Sequence, residues 1–242
     1  LPFLPTYNDF QYKQTVNFND KNKLVIMGLG AIDDFSLNRS VNEGISNEED
    51  IKRNDYILGY LPVNTQWNYT IGANWTHFAE NSYQTFVLSR NMLNNNSIKY
   101  RDNVENSGNL ILDYNSQEIE NKFRFENNYQ KDGWKLNYGL GYEFAKYTNS
   151  TYNEVAINGI ATTLDFDSKL TLSKFSLFSQ ISKAIFKNRV QLSGGLRTDF
   201  NDYSNTMNNP LDQLSPRLSI AYNINEKWSL NGNIAKYYQL PS

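Results

Sequence analysis

The stretch KDGWKLNYGLGYEFA, residues Lys131 to Ala145, decides the fold class of this chain. After Asp132-Gly133, large apolar residues alternate with small or polar ones without a break. A period of two places the large residues on one face of a β-strand. Asp-Gly favours a two-residue hairpin turn, so this strand pairs with the segment before it. We therefore expect an antiparallel hairpin whose apolar face carries Trp134, Leu136, Tyr138, Leu140, Tyr142 and Phe144.

The same unit recurs along the chain and predicts five hairpins with about ten strands. Further short turns are predicted at Asn19–Asn22, Glu80–Ser82, Lys187-Asn188 and Asn225–Lys227. The strands would be roughly 10–14 residues long, whereas globular strands typically have ~5–6. The connections between hairpins are polar and rich in Asn and Ser. We expect three long loops and one shorter loop there, around Asn47, Asn95, Asn153 and Asn205.

This alternation of short and long connections indicates which solvent meets the apolar face. Bacterial outer-membrane barrels have tight periplasmic turns and long extracellular loops. A strand of about 12 residues, tilted by ~40°, rises ~30 Å and spans an apolar band ~25 Å tall. A soluble β-protein is the weaker alternative, because aromatic residues favour strands in any case. Aromatic residues beside the short turns predict a girdle at the membrane surface: Phe18, Phe78, Tyr83, Tyr129, Trp134, Phe186 and Trp228.

Composition excludes several kinds of chemistry. The 242 residues include no Cys and one His, His77, so this chain alone cannot build a thiolate site or a His cluster. The net charge of −2 gives no sign of nucleic-acid binding. The sequence contains no nucleophile elbow, phosphate loop or metal-ligand spacing. We therefore predict a protein that is not an enzyme and that uses neither a cofactor nor a metal.

Three segments resemble the mid-barrel region of TonB-dependent outer-membrane receptors. LSPRLSIAYNINEKWSLNGNIAKYYQLPS, Leu214 to Ser242, has that family's Ser-Pro-Arg strand start, short turn and Tyr-aromatic-x-Leu-Pro ending. VQLSGGLRTDF resembles the preceding family strand, with its Gly-Leu-Arg-x-Asp pattern, and FSLFSQISKAIF resembles the strand before that. The specific part of the resemblance covers residues 175–242. The high Asn content and the YYQLP ending look most like receptors from Bacteroidota.

The resemblance implies an all-β fold, an antiparallel transmembrane β-barrel that is partial here, with about 10 strands of an expected 22. Residues 1–242 would form one partial barrel domain in the outer membrane of a Gram-negative bacterium, with the plug and the remaining strands outside this chain. The implied function is active uptake of a scarce, bulky ligand, such as an iron-siderophore, oligosaccharide or peptide. Implied partners are outer-membrane lipid, the protein's own plug and a TonB-type energising complex, and a surface lipoprotein is left open.

The alternative function is a small structural or adhesive barrel of ten strands that transports nothing. The two readings differ at the edges of the sheet, because a closed small barrel needs the strand near Tyr12 to pair with the strand near Lys236. Tyr152 and Tyr203, in predicted external loops, are candidates for ligand binding. Candidates for contact with the lumen or plug are Arg124, Glu143, Arg197, Asp199 and Arg217. For Arg197 and Asp199, a structural ion pair with a neighbouring strand is the other interpretation.

Overall fold

The computed structural model describes residues 1–187 and 189–238 and shows one antiparallel sheet of ten strands in sequence order. Neighbouring strands along the chain are neighbours in the sheet. No helix in these residues is long and apolar enough to span a bilayer. The strands are β1 (Phe3–Asn19), β2 (Asn22–Leu37), β3 (Val63–Phe78), β4 (Ser82–Tyr100), β5 (Leu110–Lys131), β6 (Trp134–Ile157), β7 (Ile160–Ile185), β8 (Val190–Asn201), β9 (Leu214–Asn223) and β10 (Ser229–Ala235).

The sheet is open, as the sequence predicts. Within the described residues, β1 pairs with β2 alone and β10 pairs with β9 alone. The small closed barrel would require β1 to pair with β10, and the described strands do not do so. Most strands are also longer than predicted: β6 has 24 residues and β7 has 26.

Strand register sorts the side chains onto two faces. On β6, Leu136 and Leu140 lie on one face, and Asn137 and Glu143 lie on the other; we call these the Leu140 face and the Glu143 face. Cross-strand partners share a face, so the register of the sheet extends both faces over all ten strands. The predicted alternation is confirmed. Apolar members of the Leu140 face include Phe10, Ile26, Ile71, Trp75, Leu88, Phe125, Leu177, Leu196, Leu218, Ile220 and Ile234.

Burial is the reverse of that in a soluble protein. Met92 is the one buried hydrophobic residue among those described, whereas several polar side chains are buried. Leu88 is 61% exposed and Leu218 is 62% exposed, both on the Leu140 face. A soluble monomer rarely exposes an apolar patch this continuous, so the Leu140 face is built for a non-aqueous solvent. Strand β2 is an exception to the pattern, because Met27 and Leu29 are apolar residues on its Glu143 face.

The five connections predicted to be short lie at one end of the sheet, as predicted. Because consecutive strands are antiparallel, every odd-to-even connection falls at the same end. Asp132-Gly133 is a two-residue connection, in which φ is 49° and 76°. Two positive φ values define the hairpin turn whose twist matches the flanking strands. Asn188 of the predicted β7–β8 turn and residues 239–242 of the YYQLPS ending lie outside the described residues.

The opposite end differs from the prediction in three places. Asn95 lies within β4 and Asn153 lies within β6, so the long loops predicted around them are wrong. Strands β6 and β7 continue to a two-residue turn at Asn158-Gly159, where φ is 52° and 77°. The β2–β3 connection contains a helix, α1 (Glu48–Tyr60), which the sequence analysis did not predict. Asn47 caps that helix, since its side chain accepts a hydrogen bond from the Glu49 backbone N–H.

Two matched hairpin turns test the topology. We expect an epitope tag inserted at Asn158-Gly159 to be detected by antibody on intact cells, and a tag at Asp132-Gly133 to be hidden until the outer membrane is permeabilised. Both are two-residue turns with positive φ, so the insertion interrupts the same kind of backbone in each. Surface detection of the Asp132-Gly133 tag alone would reverse the orientation of the sheet.

Candidate functional site

The Glu143 face carries a charged network across β5, β6 and β7. Lys122 Nζ lies 2.6 Å from Glu120 Oε2 and 3.4 Å from Glu143 Oε2. Lys174 Nζ lies 2.6 Å from the other oxygen, Glu143 Oε1. Glu143 therefore joins two lysines from different strands. Since this face turns away from the apolar one, these charges belong to the wetted side of the sheet.

The predicted contact residues lie on this same face. Arg124 Nε is 3.4 Å from Glu126 Oε1. Arg197 forms a two-pronged pair with Asp199, with both nitrogen–oxygen distances at 2.6 Å. That pair lies within β8, whereas the sequence analysis considered a partner on a neighbouring strand. Arg217 differs, because its guanidinium lies 4.8 Å from the Tyr237 ring centroid.

These contacts leave the net charge of this part of the Glu143 face close to zero. Lys122, Lys174, Arg124 and Arg197 are matched by Glu120, Glu143, Glu126 and Asp199. A balanced wall offers hydrogen bonds to a passing or packed group without attracting one sign of charge strongly. The residues described contain no group of three or more His, Asp or Glu side chains arranged to hold a metal ion.

Polarity changes sides along the β6–β7 hairpin. Up to Phe144, the Leu140 face is apolar; beyond it, the same face carries Lys146, Thr148 and Ser150 of β6 and their partners on β7. The Glu143 face changes in the opposite sense. There the charged residues give way to Tyr147, Leu164, Phe166, Leu170 and Leu172. The change marks where the outward face leaves lipid and where the inner wall becomes suited to apolar contacts.

The two tyrosines predicted as ligand contacts have different outcomes. Tyr152 lies in strand β6, not in a loop, and its hydroxyl donates to Glu154 Oε1 at 3.1 Å. Its register places it on the Leu140 face, away from the inner wall. Tyr203 does lie in the β8–β9 connection and is 58% exposed. Sequence reasoning missed the apolar inner residues Phe166 and Leu170, because it assigned Phe166 to a polar loop and Leu170 to no strand.

Lys99 links the β2–β3 connection to the β4–β5 connection at the end of the sheet opposite the short turns. It is 7% exposed, and its ammonium donates to the backbone carbonyls of Leu58 and Leu61, each at 2.9 Å, and to Asn103 Oδ1 at 2.6 Å. The carbonyls belong to the last turn of α1 and the residue after it, where unpaired acceptors favour a cation. Burial lowers the pKa of the Lys99 ammonium. The helix is thereby held against β4.

Replacing Lys99 with Met should release α1. The two carbonyls would lose a charged donor, and we expect local opening to become easier by about 1–3 kcal/mol. Hydrogen exchange across residues 48–61 should accelerate while exchange in β5 and β6 stays unchanged. Lys52→Met is the control, since Lys52 is exposed and lies 4.0 Å from Glu48 in the same helix. Equal acceleration in both variants would mean that the loss of a positive charge is responsible, and not the loss of the hydrogen bonds from Lys99 to Leu58 and Leu61.

The predicted girdle residues share one end of the sheet but not one face. Trp134 and Tyr129 lie on the Leu140 face, and Lys183 Nζ lies 4.6 Å from the Trp134 ring centroid. Phe78 and Tyr83 are cross-strand partners on the Glu143 face. They cannot contribute to an outward belt in that register. Phe18, Phe186 and Trp228 lie at or beside the short turns and are largely exposed, so their part in a girdle stays a prediction.

Comparison with known proteins gives a consistent result. The family model described as "TonB dependent receptor-like, beta-barrel" matches residues 3–242. No curated protein matches the chain by sequence. Among solved structures, similar folds include the copper transporter OprC, with a TM-score of 0.68 and 11% identity, covering 100% of this chain and 38% of that one.

Two siderophore receptors show the same likeness. The ferric enterobactin receptor PfeA of Pseudomonas aeruginosa, as its G324V mutant, has a TM-score of 0.66 and 17% identity, with 98% of this chain and 34% of that chain covered. The siderophore receptor PirA of Acinetobacter baumannii has a TM-score of 0.65 and 15% identity, with 99% and 34% covered. The chain therefore spans a little over a third of the length of these structures.

Proposed function

Because the chain belongs to the family of TonB-dependent receptor β-barrels, we propose that it forms part of the wall of a receptor that takes up a scarce, bulky ligand through the outer membrane. The observation that carries the proposal is the division of the sheet into a lipid-facing side and a charged inner side, in an open arrangement that matches part of such a barrel. Energy for transport would come from a TonB-type complex acting on a plug outside this chain.

The inner wall supports contact with both a plug and a ligand. Arg124, Glu143, Arg197, Asp199 and Arg217 lie at the level of the lipid band, where a folded plug would fill the lumen. Beyond the band, Phe166 and Leu170 offer apolar surface, being 50% and 47% exposed. We propose that this upper wall meets the ligand first, and that the ligand has apolar or aromatic parts. Iron-siderophores, oligosaccharides and peptides are the classes considered, and an origin in Bacteroidota stays a prediction.

An uptake assay tests the proposal. Cells that carry the complete gene, and cells that lack it, would be supplied with radiolabelled ferric siderophores, oligosaccharides and peptides in parallel. Uptake of one class should require both the gene and the proton gradient, and a protonophore should abolish it while surface binding persists. Gene-independent uptake of every class, or uptake that survives the protonophore, would contradict energised transport.

A pair of variants tests the proposed ligand surface. Phe166→Ala should weaken surface binding of the transported ligand, because it removes an aromatic group from the inner wall. Lys169→Ala alters the opposite face of the same strand, three residues away, and should leave binding unchanged. If the two variants bind alike, the ligand contacts other parts of the receptor.

A further inference from the structure

Arg90 is a cation on the lipid-facing side of the sheet. On the Leu140 face of β4 it stands between Leu88 and Met92, and its cross-strand partner on β3 is Ile71. An Arg on the lipid face of a barrel costs ~2–4 kcal/mol at the bilayer midplane and less toward the surface. A charge in this position needs compensation, and its neighbours show how far the protein supplies it.

The protein orients Arg90 without neutralising it. Arg90 Nε donates to the Tyr69 hydroxyl at 2.8 Å, and Nη1 donates to Asn121 Oδ1 at 3.0 Å. Both partners are uncharged, and both lie on the Leu140 face. Among the described residues, no carboxylate lies within 4.0 Å of this guanidinium. The group is therefore held in one place with its positive charge uncompensated.

An apolar groove beside Arg90 crosses the strands from β2 to β6. Its volume is about 500 Å³, and Ala73, Leu88, Phe123 and Tyr142 line it in one cross-strand row. Ile71, Arg90 and Asn121 line it in the adjacent row, farther from the short turns. Ala73 is small where its cross-strand neighbours Ile26 and Leu88 are large, which deepens the groove at β3. An acyl chain fits this apolar channel, and a planar guanidinium is suited to a phosphate oxygen pair.

Position along β4 indicates the leaflet. The apolar residues of its Leu140 face run from Phe86 to Met92, and polar Asn94 follows. Arg90 is therefore near the long-connection end of the band, which faces outward in outer-membrane barrels. The characteristic lipid of that leaflet is lipopolysaccharide, whose acylated disaccharide carries phosphates.

We propose that Arg90 and this groove bind lipopolysaccharide, with a phosphate on the guanidinium and one acyl chain lying across Ala73, Leu88 and Phe123. The site lies on the opposite side of the sheet from the proposed ligand path. It depends on the membrane location of the sheet and not on which ligand is transported. A simple alternative is that Arg90 extends toward water beside the headgroups without selecting any lipid.

Native mass spectrometry of the intact protein in detergent separates these possibilities. Purified lipopolysaccharide, its dephosphorylated form and phosphatidylglycerol would each be added over a concentration series. We expect the wild-type protein to retain lipopolysaccharide, and Arg90→Leu to bind it about tenfold more weakly, as loss of a charged contact predicts. Dephosphorylated lipid should bind the wild type and Arg90→Leu equally.

Two further variants make the result specific. Ala73→Leu keeps the charge but narrows the groove, so it should also weaken retention. Arg124→Gln removes an arginine on the Glu143 face near the same level and should retain lipopolysaccharide as the wild type does. Equal retention by wild type and Arg90→Leu would overturn the site. Arg90-dependent retention of phosphatidylglycerol but not of lipopolysaccharide would overturn the choice of lipid.

Discussion

Leu140→Arg is expected to lower barrel stability by about 2–4 kcal/mol, the cost of an Arg at the bilayer midplane on the lipid face of a barrel. Leu140 is central in the apolar stretch of β6, and its cross-strand partners are Phe125 and Leu177. The new side chain would replace an apolar contact with a desolvated charge. Denaturant titration of the intact protein folded into vesicles would measure the loss, and the folded fraction in outer-membrane preparations would report assembly.

Asn137→Arg is the matched control for that substitution. Asn137 lies three residues before Leu140 on the same strand, but on the Glu143 face, where its amide donates to Asn128. A long cation there can reach water and the carboxylates of the inner wall. Equal loss of assembly in the two variants would contradict the assignment of the Leu140 face to lipid.

Gly139→Ala should destabilise the sheet by about 1–3 kcal/mol, the range for overpacking a close contact. A Cβ at Gly139 would lie 2.7 Å from Phe178 Cε1 and 2.8 Å from Cζ, and it would also meet the Phe125 carbonyl. Phe178 is the cross-strand partner of Gly139 and lies over it on the Glu143 face. Its ring occupies the space that the missing side chain leaves.

Two comparisons make this prediction specific to the contact between Gly139 and Phe178. Gly28→Ala changes a strand glycine whose added Cβ would find Thr70 O at 4.0 Å as its nearest neighbour, so denaturation midpoints should hardly move. In a Phe178→Ala background, Gly139→Ala should lower the free energy of unfolding by a smaller amount. The added Cβ would then meet the Phe125 carbonyl but no longer the Phe178 ring. Additive effects of the two substitutions would show that the ring and the glycine do not interact.

The parts of the fold within the lipid band could be predicted because lipid imposes a strict period of two. The unbroken alternation after Trp134 and the Asp132-Gly133 turn were sufficient there. Beyond the band lipid no longer imposes this period, so the pattern weakens and the outer parts of β6 and β7 resemble a loop in sequence. The Asn158-Gly159 dipeptide between two isoleucines was an available turn signal. For α1, Asn47 followed by Glu48, Glu49 and Asp50 was an available helix start.

The site was only partly predictable for a different reason. Residues two apart share a face, which placed Arg197 with Asp199 correctly. Contacts between strands depend on register, and register follows from the whole sheet. The link from Lys99 to the end of α1 joins residues about 40 positions apart, and the position of Arg90 among Tyr69 and Asn121 requires three strands to be aligned. No local pattern encodes either arrangement.

The reversal of polarity on β6 also indicates the hydrocarbon thickness of the membrane that suits the protein. Trp134 and Lys146 bound the apolar stretch, and the ten residue steps from Trp134 to Phe144 rise ~26 Å if the strand is tilted by ~40°. If the strand moved by two residues toward the periplasm, Lys146 would enter the hydrocarbon. If it moved by two residues the other way, apolar side chains would leave the hydrocarbon and meet water. A thicker bilayer must therefore thin at this wall, at a cost of a fraction of a kcal/mol per Å of hydrophobic mismatch. The hairpin thus favours membranes whose hydrocarbon thickness matches its own.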